Sequence, residues 1–230
     1  MRLFGARLRG RLRFLPATVV FALAFSANVF GQEAKAGSSI RFSLNFPGSS
    51  PESYVIEIES GGRATYDSMA RLTPEADAAT AFHWDFAVAT STCDRLFLLA
   101  KEAGYFTGQI ESGRKLAFTG EKTLSFRDKD RTTSAKYNYS DDKRVQQLTL
   151  YFQSVALTLE FVRRLDYDLR FQKLALDAEL KTMEQMLTDQ QLEEVQAAQP
   201  LLRKIAADST VIKTVRARAQ RLADSFAGPN

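Results

Sequence analysis

Lys115–Ser140 reads KLAFTGEKTLSFRDKDRTTSAKYNYS, and beyond Asp141-Asp142 the run KRVQQLTLYFQSVALTLEFVRRLDYDL continues to Leu169. The first half alternates apolar and polar residues, the mark of half-buried strands; the second repeats apolar residues three and four apart, the mark of an amphipathic helix. Leu116 with Phe118 and Leu124 with Phe126 predict two strand segments around Gly120, which is a tight turn or a bulge. Asp128–Arg131 is a polar turn, and Ala135, Tyr137 and Tyr139 line one face of a further strand. Connections this short exclude parallel crossovers, so an antiparallel meander is the simplest pairing. Ser140 or Asp141 is the expected cap of the long helix, whose buried stripe is Leu148, Phe152, Val155, Leu159 and Val162, widened by Tyr151, Ala156 and Leu165. A stripe that long needs the sheet, later helices or both to cover it.

Upstream, Ile40, Phe42, Leu44 and Phe46 alternate with polar residues, and Tyr54, Ile56 and Ile58 do so again. Gly61-Gly62 suits a two-residue primed turn with positive φ at both positions, returning as a strand over Ala64–Met69. Arg71–Thr80, with Pro74 and several alanines, is expected to be a mobile connection. In His83–Val88, Trp84, Phe86 and Val88 share one face, and His83 and Asp85 lie on the other. Ser91-Thr92-Cys93-Asp94 resembles a capping box opening a helix over 91–104, with Cys93, Leu96, Phe97, Ala100 and Ala103 on one stripe and Gly104 as its stop.

Downstream, the apolar rhythm runs on through Leu169, Leu176, Leu180, Met183 and Leu187, with a break expected near Tyr167–Lys173. Thr188–Gln191 looks like a fresh capping box for a helix carrying Leu192, Val195, Leu202 and Ile205, kinked or restarted at Pro200. Asp208-Ser209 restarts once more, with Val211, Ile212, Val215, Ala219 and Leu222 on one side. The fold class is α+β: an antiparallel sheet of six or seven strands with one short helix, then a long helix and C-terminal helical hairpins.

The first 31 residues are of another kind. Arg2, Arg7, Arg9, Arg11 and Arg13 precede an apolar run from Phe14 to Phe25, and Val29 and Gly31 suit cleavage before Gln32, with Ala24 and Ser26 offering a second cut. Without that segment 26 Lys+Arg stand against 27 Asp+Glu, a net charge of −1, so the basic pI of 9.2 belongs to an export signal and not to a nucleic-acid footprint. The expected organisation is a signal peptide over 1–31, a disordered leader over 32–39, a mainly antiparallel β domain over 40–140, and a helical segment over 141–227 packed on the sheet. The expected location is periplasmic or secreted. A membrane is involved only if the signal stays uncleaved, and its apolar run is shorter than the ~20 residues a span needs. One cysteine gives no intrachain disulfide, so a packed core must carry the stability.

Chemistry is sparse. His83, the only histidine, is either a surface residue or a general base beside Asp85, which two strand positions would set ~6–7 Å away. Cys93 reads as a packed core thiol; a helix N-terminus could activate it. Asp128 and Asp130 have the spacing of calcium ligands but lack the glycine and the downstream glutamate of a calcium loop, so a solvated hairpin turn is the better reading. Gly61-Gly62 and Gly120 stand alone and make no phosphate loop. Lys122, Arg127, Lys129 and Arg131 cluster near the meander but are interleaved with acids. No catalytic, cofactor-binding or metal-ligating residue is assigned, and no cofactor is expected.

Ala117–Leu124, followed by Tyr137-Asn138-Tyr139-Ser140, resembles secreted bacterial proteins that carry no assigned activity. The likeness covers the central half of the mature chain, implies export and transfers no site residue. The expected function is that of an exported, non-enzymatic binding or interaction protein of the bacterial envelope. Its partner is an unidentified protein or envelope component, and the long helix leaves a homodimer through it open. The alternative is a carboxylate-dependent envelope hydrolase using acids near the sheet ends, Asp128 and Asp141 among them.

Overall fold

The computed structural model describes residues 37–71 and 78–226. The expected signal peptide, most of the expected leader, residues 72–77 of the Arg71–Thr80 connection and the last four residues lie outside them. Six strands, β1 (Ser39–Asn45), β2 (Ser53–Glu59), β3 (Arg63–Ala70), β4 (Thr80–Ala87), β5 (Glu121–Arg127) and β6 (Thr132–Tyr137), form one antiparallel sheet. Among the described residues five α-helices accompany it: α1 (Thr90–Glu102), α2 (Lys143–Phe171), α3 (Leu176–Thr188), α4 (Gln199–Ala207) and α5 (Lys213–Ser225). The α+β class expected from the sequence is the class observed. Among the described residues no helix is long and apolar enough to cross a membrane.

The strand order is β4-β3-β2-β1-β5-β6. The antiparallel pairing expected of the Lys115–Ser140 stretch holds for β5 and β6, while β1 to β4 run as a simple meander. The chain then crosses back through α1 and lays β5 against the open side of β1, where Ile40 faces Phe126 and Phe42 faces Leu124. Alternation sends Ile40, Phe42, Tyr54, Ile56, Ile58 and Tyr66 to one buried face. Threonine, serine and charged residues make the other face, as an antiparallel sheet covered on one side requires. The leader ends earlier than expected: Ser39 is buried and already in β1.

Helix α2 lies on the apolar face, with the Phe152 ring stacked on Phe42 at 5.2 Å. All eight residues of its expected stripe are buried, with Leu169 continuing it, and so are Thr158 and Phe161 to the side of it. The second set is covered by α3, α4 and a short 3-10 turn over Val195–Ala198. A helix buried on two sides joins sheet and helical layer in one core.

Several local expectations are corrected. Leu116 and Phe118 belong to no strand and are exposed. The Asn138 side chain takes the place of a ladder there, accepting from Thr119 N at 2.7 Å and donating to Ala117 O at 2.9 Å. The β2–β3 turn has positive φ at Gly62 alone (+88°), so it is a three-residue loop, not a two-residue primed turn. Gly120 sits at φ +97°, and a Cβ there would lie 2.8 Å from the Phe46 Cβ, which leaves glycine as the fitting residue.

The caps also move. Asp142, not Ser140 or Asp141, caps α2 by accepting from Arg144 N at 2.8 Å, because Asp141 is engaged by Ser112 and Arg114. Helix α1 starts at Thr90 with no side-chain cap. The break after α2 comes at Gln172–Ala175. Thr188 ends α3 and opens nothing. The next residues turn through positive φ at Gln190 and Glu194 because α2 grips them: Thr158 donates to Glu193 O at 2.7 Å and the Tyr151 hydroxyl to the Glu194 carboxylate at 2.8 Å. Pro200 sits in the first turn of α4, where its missing N–H costs nothing. Asp208 closes a turn on Thr210 N instead of starting a helix, and α5 begins at Lys213.

Candidate functional site

The residues singled out for chemistry fall into separate places. His83 lies on the open face of the sheet, its Nδ1 2.7 Å from the Asp67 carboxylate across the β3–β4 pair and its Nε2 3.3 Å from Asp85. The side chains lean together, so the Asp85 contact is closer than strand spacing suggests. The hydrogen bond to Asp67 leads in raising the imidazole pKa. Sequence spacing pairs His83 with Asp85; the stronger partner, Asp67, comes from the neighbouring strand.

Cys93 is buried in the α1 stripe, and burial pushes its thiol pKa up, the opposite of activation. Asp128 accepts from the backbone N–H groups of Asp130 (2.9 Å) and Arg131 (2.8 Å), which makes it the lock of the β5–β6 turn. Asp141 takes the Ser112 hydroxyl and the Arg114 guanidinium, and the Ser112 bond leads in lowering its pKa. Among the described residues no group of three or more His, Cys, Asp or Glu side chains is placed to hold a metal ion.

Two clefts open instead along the solvent side of α2. Gln146, Gln147, Leu150, Gln153, Ser154 and Leu157 follow helical spacing on one ridge. On one side the ridge meets Arg95, Leu96 and Leu99 of α1 and the Gln190–Glu193 loop, enclosing a cavity of about 740 Å³. On the other it meets Thr119, Lys122 and the Tyr137–Ser140 segment, enclosing about 370 Å³. Leu150 stands between them, 64% exposed, and Leu157 is exposed beyond it. Glutamine amides and hydroxyls supply paired donors and acceptors, while the leucines supply apolar contact. This mixture suits binding of a ligand with its own hydrogen-bonding groups.

Lys122 is the charged member of the smaller cleft. It points to the buried side of β5, in phase with Leu124 and Phe126, and is only 4% exposed. Its ammonium donates to neutral oxygens: Asn138 O (2.9 Å), Thr119 Oγ1 (3.0 Å), Thr119 O (3.2 Å) and Gly120 O (3.3 Å). Burial lowers its pKa, opposed by the charge of Glu111. The sequence groups Lys122 with Arg127, Lys129 and Arg131 in a basic cluster interleaved with acids, and the ridge stands outside that reading. The available signals were a lysine in the inward register of a strand, and two leucines seven residues apart outside the core stripe of α2.

The polar groups buried elsewhere fasten the fold. Tyr66 and Ser68 each donate to the Glu160 carboxylate at 2.7 Å, and Arg163 donates to Ala70 O (2.8 Å), Thr80 O (2.7 Å) and Thr80 Oγ1 (2.6 Å). Compared with known protein families and with curated proteins, the chain matches none.

Proposed function

We propose that the chain is an exported, non-enzymatic binding protein of the bacterial envelope, engaging its partner along the α2 ridge and the two clefts beside it. The arginines and apolar run of residues 1–31 support export. The observation that carries the binding reading is the exposed Leu150 between two amide- and hydroxyl-lined cavities. A large exposed apolar side chain whose helix neighbours Gln146, Gln147, Gln153 and Ser154 are polar and neutral, with Arg95, Glu193 and Lys122 further out in the clefts, is the pattern of an interaction surface. The carboxylates behind the hydrolase alternative are engaged in the β5–β6 turn and in the Ser112–Arg114 contact.

The test is in-cell photo-crosslinking from position 150, followed by mass spectrometry of the adducts. A discrete envelope partner captured from position 150 and not from exposed Arg203 on α4 is the expected result. Equal capture from both positions, or none from position 150, defeats the reading.

A further inference from the structure

We infer that β4 is a self-complementary edge on which two copies of this chain pair antiparallel, joining their sheets into one. This stands on β4 alone and does not depend on the binding reading of the α2 ridge. The long-helix interface left open by the sequence is a different surface, since the apolar stripe of α2 is spent inside its own chain.

The two sheet edges differ. Beyond β6 lies other chain: Thr133 bonds to Tyr105 O, Asn138 N to the Glu111 carboxylate, and Ser112 N to Tyr139 O. Among the described residues β4 has one strand neighbour, β3. Its sequence, TAFHWDFA, holds no lysine or proline, which blunt exposed edges, and its one acidic residue, Asp85, stands two residues from His83.

The hydrogen-bond phase is fixed by Val88 N donating to Gly62 O at 2.8 Å. Counting back in twos through the β3–β4 register, Phe86, Trp84 and Phe82 bond to β3. Ala81, His83, Asp85 and Ala87 therefore turn their N–H and C=O groups to the free edge. These four also carry their side chains on the open face of the sheet.

β4 is symmetric about Trp84. Alanine stands three residues to either side, phenylalanine two residues to either side, and His83 and Asp85 flank it. A two-fold axis through Trp84 sets Ala81 against Ala87 and His83 against Asp85 of the second copy. All of these are edge-facing residues, so each outward N–H and C=O gains a partner. Shifting the axis by half a residue sets edge-facing groups against inward ones, and the ladder fails. Shifting it by a full residue sets His83 against its own copy or Asp85 against its own copy, opposing like residues. Only the Trp84 axis gives a full ladder and sets an imidazole opposite a carboxylate.

The inner side of β4 agrees. Phe82, Trp84 and Phe86 are each only partly buried, with the Phe82 and Trp84 rings stacked at 6.0 Å. In this register Trp84 faces Trp84 and Phe82 faces Phe86 of the second copy. These are non-hydrogen-bonded positions, where side chains approach most closely and aromatic pairs contribute most. The acidic groups around His83 are Asp67 on β3 and Asp85 on its own strand, and the second copy adds another Asp85.

Sedimentation of the purified chain, with cysteines reporting register, tests the inference. The wild type is expected to sediment as a dimer. Ala81→Cys and Ala87→Cys change exposed positions, and the one native thiol is buried. On oxidation a mixture of the two variants should cross-link between unlike copies, while neither variant should cross-link alone. His83→Asp should weaken association by ~10-fold or more, and adding Asp85→His should restore it. A monomeric wild type overturns the inference. So does a dimer in which the unlike cysteines stay apart or the double exchange fails to rescue.

Discussion

His83 and Lys122 show how one strand position decides the chemistry of a charged side chain. Lys122 sits in the inward register, so burial lowers its pKa, and neutral oxygens of Thr119, Gly120 and Asn138 replace the water its ammonium has lost. His83 sits in the outward register, in water, and is moved the other way by carboxylates. The folded protein thus binds the His83 proton more tightly than the unfolded chain, whose imidazole titrates near ~6.5. Its contribution to stability is full below that value and is lost as pH rises through the higher folded pKa. In an NMR titration of the ring protons His83 should have its midpoint above ~6.5. Asp67→Asn should lower it further than Asp85→Asn, since Asp67 makes the shorter contact. Equal effects of the two substitutions would assign the shift to the general field of the sheet face.

At the scale of elements, α2 is tied to the far half of the sheet by one buried pair. Glu160 and Arg163 lie 3.7 Å apart and are almost fully buried, with Glu160 holding Tyr66 and Ser68 of β3 and Arg163 bridging the end of β3 to the start of β4. Arg163→Met leaves the Glu160 charge buried without its cation, and should cost about 3–5 kcal/mol in a urea unfolding curve. Glu160→Met with Arg163→Met should cost less than Arg163→Met alone, because no isolated charge then remains; additive losses would refute the coupling. Neither member was legible beforehand, since both lie within a stretch whose apolar periodicity already accounts for the helix. That is the general division here. β1, β2, β5 and β6 are legible because alternation is local, and the α2 stripe because its spacing is. The neighbour of β1 is not, because the Ile40–Phe126 and Phe42–Leu124 pairs join residues far apart in the chain. Leu116 and Phe118 alternate like a strand yet lie outside the ladder, because Asn138 satisfies the backbone around them. Helix starts fail for a related reason: Asp141 and Thr188 carry the right side chains for caps, but nearby tertiary or helical partners claim them. The candidate site needed α1, α2, β6 and the 190–193 loop to meet, and no single window holds them.

For the whole molecule, the titrating groups divide into two sets with opposite effects on stability. Asp141, Asp142, Asp177 and Asp208 have lowered pKa values, led in each case by a hydrogen bond, from Ser112, Arg144, Lys181 and Lys173 respectively. Their contribution is present above the unfolded value of ~3.9 and is lost as pH falls through the lower folded values. Asp168, Glu194 and His83 are shifted upward. Burial leads for the two acids and takes Asp168 from 3.8 to about 6, with Glu179 adding to the rise and Arg164 opposing it. For Asp168 the folded state holds a proton that the unfolded chain has already released, so stability is greatest below ~4 and declines as pH rises through 6. Solvent screening keeps that decline below the ~3 kcal/mol that 1.36 kcal/mol per pKa unit would give. Glu194 shifts in the same sense. The urea midpoint should therefore peak at mildly acidic pH, between ~4 and ~5, and fall toward neutrality. Asp168→Asn keeps the shape of the side chain and removes its charge, so it should raise the midpoint at pH 7, change little near pH 4 and flatten the fall between. A profile that rises steadily to neutrality in the wild type, or an Asn variant that loses stability at pH 7, would show that Asp168 is held as a carboxylate by Arg164 and that burial does not govern it.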